Sequence, residues 1–353
     1  MPSDPSHMVR HMRLQSEYCA ELGSPLYAAL LALLADDVEA GGPTADVLSG
    51  HEEDRGPSAL ALRLLGSVHR LVLERSAPRL ALHYPSVGGD GDVVAAWPAL
   101  RDVLVEHRAR LRGLLDQPPQ TNEVGRAAVL AGGLAHVVAW RDRPVRLVEI
   151  GASGGLNLRV DRFRVESADG LGVGPPDSPV VLHDAWTGAT PPPGPAPRIV
   201  ERLGCDLTPV DATSTEGRLL LTSYVWADQR DRLERLRAAF EVARSVPVTL
   251  ERASAGDFVR RLELRPGTTT VLWHSIMWQY LDPAEQRSVD VTLDRLGATA
   301  DEDRGLARIS LEPARRHPSA PREMLVRMRT WPDGAELTLG AAVTAHGLPV
   351  VWD

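Results

Sequence analysis

The chain has 353 residues, 43% of them hydrophobic, which is enough for a core larger than one small module and suggests two domains. No apolar run reaches the roughly 18 residues that a membrane helix needs, and no apolar segment follows a basic start. The formal charge of −8 comes without a basic stripe and interleaved aromatics, so a small-molecule acceptor in the cytoplasm is expected, with no nucleic acid and no membrane as partner.

Every basic side chain is an arginine, which reflects a GC-rich coding sequence more than chemistry. Cys19 and Cys205 are far apart and have no neighbours at metal-ligand spacing, so no metal site and no disulfide framework are expected. Up to about residue 143 the pattern is helical. Ser24-Pro25 places a proline in a first turn ahead of Leu26, Leu30, Leu33 and Leu34 at helical spacing. Residues 58–74, 99–115 and 122–140 repeat the same period, punctuated by Gly41-Gly42-Pro43, residues 85–91 and Pro118-Pro119. Residues 1–143 are therefore expected to form an all-helical cap. Two polar clusters interrupt it and supply pocket candidates: Tyr84 and Ser86 in one, Asn122, Glu123 and Arg126 in the other. Asn122 and Glu123 also suit a helix N-terminus, while Arg126 could pair with Glu123 or with a substrate carboxylate.

From residue 144 the period changes. The β-branched run 145–150 opens into Gly151-Ala152-Ser153-Gly154-Gly155, a strand entering a glycine turn. Residues 167–197 are rich in glycine and proline and read as an insertion or lid. Further strands are expected at 246–250, 269–274, 307–311, 324–330 and 337–344, with helices at 228–243 and 282–296. Alternating strands and helices imply a parallel sheet. Trp331-Pro332-Asp333-Gly334 leaves no room for a helix, so the last two strands should form an antiparallel hairpin. The expected fold is α/β, a Rossmann-like, mostly parallel sheet over 144–353 that ends in a hairpin, an architecture that resembles class I S-adenosylmethionine-dependent methyltransferases.

A strand that ends in an acid and turns through glycines brings backbone close to a ligand and offers it a carboxylate. Against the dinucleotide template G-x-G-x-x-G, Ser153 and Leu156 depart; against the methyltransferase template of an acid followed by G-x-G-x-G, only Ser153 does. Glu149, Gly151, Ala152, Ser153, Gly154, Gly155 and Asn157 are thus candidate cofactor contacts, as is Arg159, although a tight loop without a ligand has the same sequence. Two acids compete for a ribose: Glu166 after the strand-like 162–165, and Asp206 in Gly204-Cys205-Asp206-Leu207, which is favoured. Asp257 and Phe258 could meet an adenine, or Asp257 could simply cap a helix.

Trp273 and His274 end a strand, where α/β sheets face their ligands, and Trp278 and Gln279 follow. His274 is the candidate general base, against the commoner fate of a hydrogen-bonded structural histidine. The tryptophans are candidate walls of the cofactor and acceptor pockets.

With Ser24-Pro25-Leu26-Tyr27, His83-Tyr84-Pro85-Ser86, residues 120–126, Glu149 to Ser153, Gly204-Cys205-Asp206-Leu207 and Trp273-His274-Ser275, the chain resembles over nearly its whole length a bacterial domain-of-unknown-function family common in actinobacteria. That resemblance implies no reaction. The more distant fold-level resemblance to class I methyltransferases implies a methyltransferase that uses S-adenosylmethionine on a small molecule, its helical cap closing over the acceptor. Alternatives are a serine hydrolase, since Gly151 to Gly155 satisfy G-x-S-x-G and Asp257 and His274 follow in order, a cofactor-binding protein without catalysis, and a nicotinamide-dependent oxidoreductase.

Overall fold

The computed structural model describes residues 6–51, 54, 59–332, 334 and 336–353. In chain order the helices are α1 (Ser6–Glu21), α2 (Pro25–Glu39), α3 (Pro43–Leu48), α4 (Leu60–Leu73), α5 (Pro78–Ala81), α6 (Val93–Glu106), α7 (Arg108–Leu115), α8 (Ala127–Trp140), α9 (Thr215–Ser223), α10 (Arg230–Ser245), α11 (Ala255–Arg260) and α12 (Pro283–Gly297). The strands are β1 (Val145–Ile150), β2 (Arg164–Ser167), β3 (Gly172–Val173), β4 (Val181–Gly188), β5 (Ile199–Asp206), β6 (Thr249–Arg252), β7 (Thr268–Ser275), β8 (Arg304–Ala314), β9 (Glu323–Trp331), β10 (Glu336–Ala342) and β11 (Val350–Trp352). No helix among the described residues is long and apolar enough to cross a membrane.

Two compact units result: Met1–Thr121 with Thr215–Glu234, and Asn122–Ser214 with Arg235–Asp353. This division lies ahead of the boundary expected after residue 143 and gives 215–234 to the helical unit, because packing rather than sequence order decides where a helix docks.

In the helical unit, α2 begins at the proline of Ser24-Pro25 as the sequence implies. Ser24 occupies the N-cap position, but its side chain makes no capping hydrogen bond. The Ser24 hydroxyl and the Leu26 N–H both donate to the Asp228 carboxylate, the latter at 2.9 Å, so a residue two hundred positions away satisfies the helix N-terminus. Leu30, Leu31 and Leu34 are fully buried in a core shared with Leu64, Leu65 and Leu71 of α4 and with Trp226. The helix expected over 99–115 is two, broken at His107, and it starts earlier, where Asp92 caps α6 by accepting from the N–H groups of Val94 and Ala95. The expected helix over 58–74 is α4, with Ser58 outside the described residues.

In the α/β unit, the strands of the described residues form one sheet in the order β3-β2-β4-β11-β10-β9-β8-β7-β1-β5-β6. Six of its ten neighbouring pairs are parallel and four antiparallel. The parallel run β6-β5-β1-β7-β8 has β1 at its centre, with every β1 residue buried. A strand covered on both faces is mostly apolar, which is why β1 is legible in the sequence despite its buried Arg146 and Glu149. The hairpin expected near the C-terminus is β9 and β10, paired antiparallel; Asp333 of its turn lies outside the described residues.

The segment expected as an insertion or lid is part of the sheet. Its strand β4 pairs in parallel with both β2 and β11. Strand β11, too short for a period of its own, thereby has a partner on each side, β10 and β4.

Candidate functional site

The chain leaves β1 for the far side of the sheet and returns beside it as β5, while β7 lies on its other flank. Strand order therefore reverses between β1 and β7, and in open α/β sheets the crevice at such a reversal, beyond the carboxyl ends of the strands, is where ligands bind. Three sequence candidates meet there: Glu149 near the end of β1, the glycine turn after it, and Trp273, the register partner of Glu149 on β7.

The turn is held tightly. Gly151 and Gly155 have φ of +67° and +62°, and Ser153 adopts +50°, a left-handed backbone that serine takes only under constraint. Ser153 is therefore not in the ordinary extended or helical backbone that would let serine replace glycine freely. Asp206 provides the constraint. Its carboxylate accepts from Ser153 N–H at 2.9 Å with one oxygen and from Thr208 N–H at 2.8 Å with the other. Val210 N–H donates to Ser153 O, Ala152 N–H to Cys205 O, and Gly155 N–H to Ala152 O. Leu156 N–H donates to Asn122 Oδ1 at 2.9 Å. The turn leads into a 3-10 segment, Leu156–Arg162, kinked at Arg159, where the sequence suggests a short helix.

The pocket candidates Asn122, Glu123 and Arg126 converge on this turn. Besides Asn122, the Glu123 carbonyl accepts from Asn157 Nδ2 at 3.2 Å, while the Glu123 side chain accepts from Gly125 N–H and so closes its own turn. Arg126 donates to the carbonyls of Ser275 and Ala345. Its charge also acts on Glu149 and on Tyr280.

Glu149 is 3% exposed and its Oε2 has no hydrogen-bond partner. Burial pushes its carboxyl up to about 8. The Trp273 indole, close to the carboxyl but outside hydrogen-bond geometry, pulls in the opposite direction together with Arg126 and Arg159, and Asp206 adds to the rise. Trp273 Nε1 and Asn157 Oδ1 are likewise buried without partners. Arg159 is buried too, donating to Val246 O and Gly155 O, and burial lowers its guanidinium to about 10.

His274 is buried with both ring nitrogens engaged. Nδ1 donates to Glu312 Oε1 at 2.8 Å, and Nε2 accepts from Arg308 Nε at 3.0 Å. Burial and the Arg308 charge hold its pKa below the usual imidazole range, so the ring is neutral at pH 7. To take a proton from a substrate it would first have to lose Arg308. The same Glu312 oxygen accepts from the N–H groups of Met277 and Trp278, and Trp278 stacks on the imidazole at 5.0 Å and under the Arg308 guanidinium at 4.4 Å. Together they fix the loop after β7. That loop carries Ile276 at φ +50° and lays Met277 over Gly151.

Tyr84 and Ser86 belong to the helical unit, where Tyr84 is wholly buried and Ser86 hydrogen-bonds His69 Nε2 at 2.8 Å. Asp257 is exposed in the first turn of α11, bonded to the capping Ser254 and paired with Arg260. Phe258 is 3% exposed and packs in the core with Val148, Ile150 and Val259. Gln279 is exposed. Of the two competing acids, Asp206 ends the strand beside β1, whereas Glu166 sits in β2 towards the opposite edge, paired with Arg164 and His183.

Sequence reasoning misses Arg308 and Glu312. Their signal is present in β8, where Arg308, Ser310 and Glu312 alternate with buried Ile309 and Leu311. Arg308 pairs with Asp290 of α12 at 2.7 Å, and His274 stands between Arg308 and Glu312, accepting from the one and donating to the other.

Over residues 9–352 the chain matches the family described as an uncharacterized protein conserved in bacteria (DUF2332), and it belongs to that family. No curated protein matches it at a significant level.

Proposed function

We propose that the α/β unit binds S-adenosylmethionine over the glycine turn and catalyses transfer of its methyl group to a small molecule. The observation that carries this reading is the state of the turn at the strand-order reversal: the N–H groups of Ala152, Ser153, Gly155 and Leu156 are already bonded within the protein. A pyrophosphate needs such N–H groups and a following helix N-terminus. A cofactor without phosphates needs neither. The parallel order β6-β5-β1-β7-β8, central acid Glu149 and Asp206 at the end of the adjacent strand also suit a Rossmann-like methyltransferase.

Glu149 and Asn157 would lie towards the amino-acid portion and Asp206 towards the ribose. Transfer to a nucleophile needs alignment with the sulfonium carbon and exclusion of water, so rate would come mainly from positioning. His274 contributes by fixing the loop that bears Met277 and Trp278. The serine-hydrolase alternative finds less support, since the two His274 nitrogens serve Glu312 and Arg308 rather than Ser153.

Isothermal titration with S-adenosylmethionine, S-adenosylhomocysteine and NAD(H), with Gly151→Arg as control, tests the reading. Saturable binding of the two sulfur nucleosides, lost in the variant, is expected. Binding of NAD(H) alone, or of nothing, would overturn it.

A further inference from the structure

The loop after β7 closes on the glycine turn. A β-carbon on Gly151 would meet Met277 Cβ, Cγ and Cε at 3.0, 3.0 and 3.2 Å, so the methionine lies directly on the first glycine of the turn. That glycine is thus covered by an apolar side chain, itself only partly buried and packed against the core around Val148 and Ile150. Two features mark the closure as reversible. Ile276, just ahead of Met277, has φ +50°, and a β-branched residue in the left-handed region is under strain that its surroundings must hold. What holds it is one atom. Glu312 Oε1 accepts from the N–H groups of Met277 at 3.1 Å and Trp278 at 3.2 Å and from His274 Nδ1 at 2.8 Å, while Oε2 is buried without a partner. Methionine is unbranched and turns about three side-chain bonds, so it can leave a surface without dragging its neighbours along.

We propose that Met277 is a gate on the glycine turn: Glu312 latches it over Gly151 in the free protein, and a ligand reaches the turn only when the loop hinges at Ile276 and Met277 swings aside. The proposal rests on the cofactor reading for the identity of the ligand, S-adenosylmethionine or its demethylated product, whereas the movement belongs to the protein itself. Strain at Ile276 favours opening and the bonds to Glu312 favour closure, so the two states differ little in free energy and a ligand that binds only the open one shifts the balance.

The experiment follows S-adenosylhomocysteine binding by stopped-flow tryptophan fluorescence in the parent, Met277→Ala and Met277→Leu. A site open only part of the time binds with its affinity reduced by the open fraction, so Met277→Ala should bind about tenfold more tightly, the gain lying in the association rate, and Met277→Leu should behave as the parent. Hydrogen exchange of the free parent needs neither ligand nor variant: the Met277 and Trp278 N–H groups should exchange about a hundredfold faster than those of Leu272 and Trp273 in β7, through an opening that leaves the sheet intact. Equal association rates in the parent and Met277→Ala, or a gain confined to dissociation, would overturn the gate and leave the cofactor reading intact. Exchange at Met277 and Trp278 as slow as in β7 would overturn it too, because the loop would then open only when the unit unfolds. If the nucleoside binds none of the three proteins the cofactor reading falls, and hydrogen exchange decides the gate by itself.

Discussion

The carboxylate of Asp206 holds the left-handed Ser153 in place, taking its N–H at 2.9 Å while the second oxygen takes that of Thr208. One acid thus secures the glycine turn and the loop after β5. Asp206→Asn can satisfy only one of the two N–H groups and sets an amide donor against the other. A loss of about 2 kcal/mol is expected, in line with hydrogen bonds to a charged group, and denaturant titration measures it. An unchanged midpoint would mean that the turn holds itself.

Gly151 has φ +67°, and a β-carbon there would meet Met277 Cβ and Cγ at 3.0 Å. Gly151→Ala therefore combines backbone strain with a clash, for a cost of roughly 1–3 kcal/mol. Met277→Ala in the same chain should recover the steric part only. Additive losses in the double variant would show that Met277 does not press on the turn.

Glu149 makes stability depend on pH. Because its folded value is raised to about 8, its contribution is full below the unfolded value near 4.5 and is lost as pH rises from there to about 8. At pH 7 that loss is on the order of 3 kcal/mol. Glu149→Gln should flatten this slope and unfold at higher denaturant than the parent at pH 8, while losing ligand affinity. Parallel pH profiles for the two proteins would refute the assignment.

The helical unit carries the opposite dependence. His69 is wholly buried, bonded to Ser223 O and Ser86 Oγ, and burial lowers its pKa to about 4. The unfolded imidazole takes a proton below about 6.5 and the folded one does not, so stability falls as pH drops from 6.5 towards 4, by about 3 kcal/mol in all. His69→Gln keeps one donor and one acceptor and removes the titration. Hydrogen exchange of α4 and α9 at pH 7 and pH 5 should show acid loosening in the parent and little in the variant.

What can be read from the residues is local. β1, the glycine turn, β7 and α12 declare themselves through short patterns, and Asp282 caps α12 where the expected helix begins. The convergence of Asn122, Glu123 and Arg126 on the turn is foreshadowed only as a polar cluster. Three features depend on distant partners and leave little trace: β4 joining β11 within a glycine- and proline-rich stretch, Arg308 and Glu312 clamping His274, and 215–234 docking with the helical unit. The positive φ of Ser153 belongs with them, since a serine does not reveal its backbone angle.

The bond from Asp228 to Ser24 and Leu26 sets an order on the birth of the molecule. During synthesis, the first helices emerge while the carboxylate that caps α2 has yet to be made, and the glycine turn and β1 to β5 are translated in between. The helical unit is thus completed only after much of the sheet's central sequence has left the ribosome. A chain cut after residue 121 would carry its leucine core without its fastening, exposing apolar surface that the full-length chain covers.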